Sequence, residues 1–219
     1  MKTKQTIAVI GATGNMGSAI SKNLSKGNYR LLLCANDKEK LHTLTADIRK
    51  DAVAEVDSLD CLVNASWEAD IIIVAVPFQA EKDVAERIRQ VANQKIVVSI
   101  ANPLNDTYDG LLTAPGTSAA EELQKLLPNS KVVKAFNTTF AADFATPVIA
   151  GKQVDAFVAG NDDESVKTVT ELVTTAGFNP IIAGDLSVSR TLESMTLLLI
   201  SLNMKYNYNW LAGWKILHN

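Results

Sequence analysis

Short apolar runs alternate with amphipathic segments along most of the chain. Thr6–Ile10 is a β-branched run that ends in glycines, and the stretch from Asn15 to about Lys26 has helical spacing, closed by Gly27. Arg30–Ala35 is a second apolar run, and Asp37 to Ile48 puts Leu41, Leu44 and Ile48 on one helical face with Asp37 as N-cap. Further strands are expected at Val53–Val56, at Asp70–Val76 (stopped by Pro77) and at Lys95–Ile100, with a helix over Ala80–Val91. Residues 101–117 hold Pro103, Gly110, Pro115 and Gly116 and form a long loop of the kind that often serves as a lid. The alternation then resumes: helix Ser118–Leu127, strand Lys131–Ala135, strand Asp155–Ala159, helix Asp163–Ala176, strand Pro180–Ala183 and a long apolar helix from Ser187 to Met204. Strands that are apolar at every position, rather than at alternate ones, are covered on both faces, as a parallel sheet requires. With right-handed crossovers the pattern gives a doubly wound, mostly parallel α/β sheet. Residues 1–148 make up the core, and residues 149–219 a small C-terminal α/β extension packed on it as one compact unit.

Composition narrows the class. The chain has 219 residues, 47% hydrophobic and 21% charged, which suits one full-size domain or a domain with an appendage. A net charge of -3 with no run of like charges argues against a nucleic-acid stripe or an anionic-membrane patch. The apolar runs Ile71–Pro77 and Leu197–Ile200 are too short to span a bilayer, and the run after the polar Met1–Gln5 breaks at Gly11, too early for a signal-peptide core. A cytoplasmic location without a membrane partner is therefore expected. Cys34 and Cys61 lie in apolar stretches without a CxxC motif, and His42 and His218 form no cluster, so buried free thiols and no metal are expected.

The segment that carries chemistry is Gly11-Ala-Thr-Gly14-Asn-Met-Gly17, directly after the first strand and opening the first helix. Its spacing is G-x-x-G-x-x-G rather than G-x-G-x-x-G, but the physical demands are alike. Gly11 lets the chain turn off the strand, Gly14 lets backbone amides approach a pyrophosphate, and Gly17 lets the helix pack on the sheet. The helix N-terminus adds free N–H donors and partial positive charge. A phosphate-binding P-loop is excluded, since Met16 occupies its second glycine position and no lysine adjoins it. The pattern is that of a Rossmann-type dinucleotide fold. No acid stands at the tip of the second strand, where NAD enzymes place one for the ribose. Asn36, Lys38 and Lys40, helped by the Thr13 hydroxyl, favour NADP(H), with NAD(H) the lesser alternative. Val76-Pro77 and Asn102-Pro103 end later strands and are expected beside the nicotinamide ribose.

With these residues in view, the chain resembles the coenzyme F-420-dependent NADP oxidoreductase family, which is itself similar to the oxidoreductase domain of the six-transmembrane ferric reductases. The resemblance covers nearly the whole chain: Gly11–Gly17, Lys95–Pro103, Ser118–Glu121, Lys131–Thr138, Gly160–Glu164 and Ser189–Glu193. It implies that Thr13, Gly14, Asn15 and Met16 hold the diphosphate, that Ala35, Asn36 and Lys40 surround a 2′-phosphate, and that Val76, Asn102 and Ala141 lie near the nicotinamide. The family commonly has Ser-Arg where this chain has Ala35-Asn36, which removes a hydroxyl and a guanidinium fork. Lys40 matches the family's basic position. Asn137 stands where deazaflavin-using members can carry His, so coenzyme F-420, a flavin or another small-molecule electron acceptor is the expected partner. The resemblance also implies a homodimer, for which the helix carrying Leu197–Ile200 offers an apolar face.

Hydride transfer between nicotinamide and an acceptor ring needs orientation and a dry cleft rather than a strong base, and no catalytic acid–base residue is expected. None of Tyr29, Tyr108, Tyr206 or Tyr208 has a lysine four residues on, which argues against carbonyl reduction of the short-chain-dehydrogenase type. The residues after 148 are too few for the helical second domain of β-hydroxyacid dehydrogenases. A non-catalytic NADP(H)-binding regulator is the alternative. Arg190 and Glu193, three apart on one helix, are expected to pair locally. Tyr206, Tyr208, Trp210 and Trp214 are expected either to pack internally or to meet a planar ring or a second subunit.

Overall fold

A computed structural model describes residues 4–218. Its elements are β1 (Thr6–Ile10), α1 (Asn15–Leu24), β2 (Arg30–Cys34), α2 (Lys38–Arg49), β3 (Glu55–Ser58), α3 (Leu62–Glu68), β4 (Ile71–Val74), α4 (Phe78–Ile88), β5 (Ile96–Ser99), α5 (Ala119–Leu126), β6 (Lys131–Lys134), β7 (Val148–Ile149), β8 (Lys152–Gln153), β9 (Asp155–Gly160), α6 (Asp163–Thr175), β10 (Asn179–Gly184) and α7 (Ser189–Tyr206). Eight strands form one sheet in the order β3-β2-β1-β4-β5-β6-β9-β10, and β7 and β8 pair separately as a small hairpin. Every neighbouring pair in the large sheet is parallel except β6 and β9.

The strands are apolar throughout because both faces are covered. Ile7, Val9, Leu31, Leu33, Ile71 and Ile73 join one core layer with Ile20 and Leu24 of α1, Leu41 and Ile48 of α2, and Val169 and Leu172 of α6. The alternate residues Ala8, Ile10, Leu32, Ile72 and Val74 join the other, with Leu62 of α3, Val84 and Ile88 of α4, and Leu123 of α5. The period of two along each strand thus delivers side chains to two helical layers.

Several boundaries differ from the sequence expectation. The third strand starts at Glu55, because the amides of Val53 and Ala54 both bond the carbonyl of Ser25 and turn the chain first. Helix α3 was not expected: its seven residues are too few to show a period, and only Leu62, Ala65 and Ser66 are buried. The last helix is preceded by a 3-10 turn at Leu186–Val188 and stops at Asn207, whose left-handed φ of 53° ends it. The expected local pair of Arg190 and Glu193 does not form. Arg190 instead forks onto Glu121 at 2.9 and 2.5 Å, while Glu193 turns inward to Lys134 at 2.7 Å. An inward charge found a buried partner, which outweighs a weak surface pair.

Residues beyond 148 continue the same sheet, with every residue of β9 buried between β6 and β10. Asn23 of α1 ties this region to the first helix: its Nδ2 donates to the carbonyls of Phe144 and Ala176, both at 2.7 Å. Both are carbonyls at the ends of helical turns, short of intrahelical donors. Truncating Asn23→Ala strands two acceptors in a site only 6% exposed. Urea denaturation of that variant is expected to show an unfolding free energy lower by about 2–3 kcal/mol.

Candidate functional site

The register of the sheet brings several loops to one edge. Ile10 is level with Cys34 on one side and with Val74 on the other, so the segments starting at Gly11, Ala35 and Ala75 leave the sheet together. The strand order turns between β1 and β4, and this is the crevice where open α/β sheets bind ligands. Gly11 has φ +86°, and a Cβ there would stand 2.3 Å from the carbonyl oxygen of Ala75. The amides of Gly11 and Ala12 both donate to the carbonyl of Cys34, at 2.8 and 2.9 Å, which fixes the turn against β2. A Cβ on Gly17 would stand 2.2 Å from the Gly11 oxygen, so α1 can lie on the turn only without a side chain there.

Gly14 is the N-cap of α1, in extended conformation, and no side chain caps that helix. By contrast Asp37, Ser118 and Asp162 cap α2, α5 and α6 with side-chain oxygens. An uncapped first turn beneath a glycine bend leaves donors and positive potential for an external anion.

A cavity of about 360 Å³ opens in front of this turn. Gly11, Thr13 and Gly14 form its back, Ala35, Asn36 and Asp37 one side, and Val76 and Pro77 the other. Seven of the residues singled out from the sequence therefore meet in one space. The rest lie around it. Asn15 and Ala141 share a shallower groove of about 370 Å³ on the flank of α1. Met16 is half-buried against the core and Gly17 is buried. Lys40 lies in a groove between α1 and α2 that also reaches Thr13.

The cations after β2 are engaged by carboxylates. Lys40 Nζ lies 3.2 Å from Asp37 and Lys38 Nζ lies 2.8 Å from Asp60. Asp37 also accepts the Lys40 amide as the cap of α2; that amide, with the Lys40 ammonium, holds its carboxyl below the ordinary range. Across the cavity α4 presents Ala80, Val84 and Arg87, while Asp60 and Leu62 contribute from the start of α3. None of these five residues was foreseen, since their placement shows only once the fold brings α3 and α4 to the same cavity as the segment after β2.

Asn102 and Asn137 are joined to each other. Asn102 donates to the carbonyl of Asn137 at 3.0 Å, and Asn137 Nδ2 donates to Asn102 Oδ1 at 3.0 Å and to the carbonyl of Leu192 at 3.1 Å. Behind them lies a buried charge cluster. Lys134 Nζ, fully buried at the end of β6, donates to the Ala101 carbonyl at 2.5 Å and to Glu193 at 2.7 Å. The second oxygen of Glu193 accepts the amide of Ala119 at 3.1 Å. Glu81 of α4 is also buried, and burial pushes its carboxyl up to about 8, with Lys134 opposing and Glu193 and Glu122 adding to the rise. Sequence signals for this cluster existed: Lys134 interrupts the apolar run Val132–Phe136, and Glu81 shares the inward stripe of Val84, Ala85 and Ile88. Among the described residues no group of His, Cys, Asp and Glu is placed to hold a metal ion, and no helix is long and apolar enough to cross a membrane. Cys34 and Cys61 are free thiols.

A parallel sheet whose first turn is a glycine bend under an uncapped helix defines the Rossmann-type, dinucleotide-binding class. Comparison with known proteins narrows this. The family model described as NADP oxidoreductase, coenzyme F420-dependent, matches residues 6–103. The F420-dependent NADP reductase of Methanocaldococcus jannaschii is 35% identical over 213 residues, covering 91% of this chain and 93% of that protein. A solved structure from Arthrobacter sp. FB24 superposes with a TM-score of 0.86 at 23% identity, over 98% of this chain and all of that one. Human metalloreductase STEAP2 is 26% identical over 91% of this chain but only 37% of its own length. The chain belongs to the F420-dependent NADP reductase family.

The buried Glu81 makes stability depend on pH. Unfolded, its carboxyl ionises near 4.5; folded, near 8, so the native state holds the extra proton between those values. Stability is full below the lower value and falls as pH rises, by on the order of 1 kcal/mol per pH unit, until Glu81 is ionised. Asp143, raised to about 7 by burial, acts in the same direction. Thermal melts from pH 6 to 9 are expected to fall steeply for the wild type and less steeply for Glu81→Gln, which exceeds the wild type at pH 9.

Proposed function

We propose that this chain is an NADP(H)-dependent oxidoreductase that passes hydride between the nicotinamide and coenzyme F420 or a closely similar deazaflavin or flavin acceptor. The observation that carries the reading is the near-full-length match to a protein named F420-dependent NADP reductase. The fit of the site supports it, since a Cβ at Gly11 or Gly17 would fill the space against which the turn closes. A non-catalytic regulator is disfavoured because the similarity runs through the C-terminal region as well as the nucleotide core.

When bound, the nicotinamide supplies the hydride chemistry, and the chain's own residues supply grip and alignment. The backbone from Gly11 through Gly17, with the Thr13 hydroxyl and the side chains of Asn15 and Met16 beside it, holds the diphosphate. Ala35 and Asn36 border the adenosine ribose, where Lys40 can leave Asp37 for a 2′-phosphate. Val76, Pro77 and Ala141 border the nicotinamide half, and Asn102 with Asn137 fixes the backbone behind it. The inward salt bridge of Lys134 holds the Ala101 carbonyl and so positions Asn102. The protein works in the cytoplasm as a homodimer with small-molecule partners and no nucleic acid, and residues 1–148 and 149–219 act as core and extension of one unit.

Gly14→Asp separates binding from folding. The backbone at Gly14 is extended, a Cβ there would approach nothing closer than 3.4 Å, and Asp is a good N-cap. The variant is expected to melt at or above the wild-type temperature and to lose NADPH affinity about tenfold or more, as its carboxylate meets the diphosphate. Wild-type protein mixed with NADPH and coenzyme F420 is expected to oxidise the nucleotide and bleach the deazaflavin. Tight NADPH binding without turnover on F420, flavins or chelated iron would sink the proposal.

A further inference from the structure

The adenosine end of the cavity lacks the cation that its position calls for. On the β2 side stand Ala35 and Asn36, and the nearby ammonium groups of Lys38 and Lys40 are held by Asp60 and Asp37. The charged residues that line the cavity itself are Asp37, Asp60, Asp83 and Arg87, three carboxylates and one guanidinium. Arg87 comes from the opposite wall. Ala80, Val84 and Arg87 recur at helical spacing, so α4 lays one stripe along the cavity, small and apolar near the glycine turn and cationic farther out. The side chain of Arg87 is half exposed, and its ionic contact among the described residues is a long one, 3.8 Å to Asp83.

Resting on the dinucleotide reading above, we infer that Arg87 stacks its guanidinium on the adenine ring and is the main base-recognition residue of this site. Ala35, Leu62, Ala80 and Val84 give the cavity apolar lining on which a flat ring can rest. A planar, weakly hydrated guanidinium beside such apolar lining can cover the exposed face of a purine. Asp83, 3.8 Å from the guanidinium, is too far to engage it in a forked pair and opposes a phosphate at the same spot. The base is therefore the ligand group assigned to Arg87, and the 2′-phosphate is left to the Asn36 side. The Arg87 side chain is half exposed and its ionic contact is a long one within the same helix, so its variants are expected to fold.

The test is calorimetric titration of NADPH and NADH, which share adenine and differ in the 2′-phosphate. Arg87→Ala is expected to weaken both nucleotides by the same factor, about 5- to 20-fold, with an unchanged melting temperature. Arg87→Lys keeps the charge but not the plane and is expected to recover little of the loss. Affinity unchanged in Arg87→Ala overturns the assignment. So does a loss confined to NADPH, or full recovery in Arg87→Lys, either of which would mean charge attraction rather than stacking. A wild-type chain that binds neither nucleotide overturns the dinucleotide reading and this inference with it, whereas wild-type binding untouched by the substitution overturns this inference alone.

Discussion

Three backbones meet at the head of α1 with no room for a side chain between them. A Cβ on Gly17 would collide with the carbonyl of Gly11, and one on Gly11 with the carbonyl of Ala75. This contact sets the angle at which the first helix leaves the sheet and brings β4 against the turn. The first turn of α1 is uncapped because its N-cap is Gly14, which has no side chain to reach the amides. The run of glycines that packs the fold therefore also leaves the free amides that the proposed diphosphate site needs. A mutation there would damage packing and binding together, which is why Gly14, the one glycine of the three with space around it, can separate the two.

A second constraint is electrostatic. Lys134 ends β6 in a fully buried position, and such a charge is tolerable only when paired and hydrogen-bonded. Its partners come from far apart in the chain: Ala101 from the loop after β5, and Glu193 from α7, which in turn takes the amide of Ala119 at the start of α5. Glu81 adds a carboxyl that burial keeps protonated through neutral pH. One lysine thus binds together the end of the parallel sheet, the loop expected as a lid, and the last helix. A hydrophobic residue at 134 would fill the volume but would leave Glu193 as an unpaired buried charge.

The sheet was legible in the sequence because strands buried on both faces write themselves as apolar runs, as β1, β2, β4 and β5 largely do, while Lys134 breaks the run at β6. The glycine turn was legible because its spacing follows from steric needs that any such turn has. The outlying elements were less so. Helix α3 buries three residues, too few for a period, and β3 begins only after Val53 and Ala54 have bonded back to Ser25. Arg190 and Glu193 look like a surface pair when only their spacing is known, and separate once α5 and β6 offer Glu121 and Lys134. Spacing gives proximity along one helix; it does not give the competing partners that the tertiary fold supplies.

The same limit explains the end of the cavity proposed for the adenosine. Sequence reasoning looks for a cation directly after β2, because chain order puts it next to the strand tip, and finds Asn36 with Lys38 and Lys40 following. In the folded chain those lysines turn to Asp60 and Asp37, both of which serve local structure, the second as the cap of α2. Meanwhile α4, forty-odd residues later in the numbering, runs along the facing wall and brings Arg87 to the same space. Recognition there, as inferred above, would be a property of two elements that the doubly wound topology brings to one cavity from either flank of β1. A binding group missing from one flank can be supplied by the other without changing the glycine turn between them.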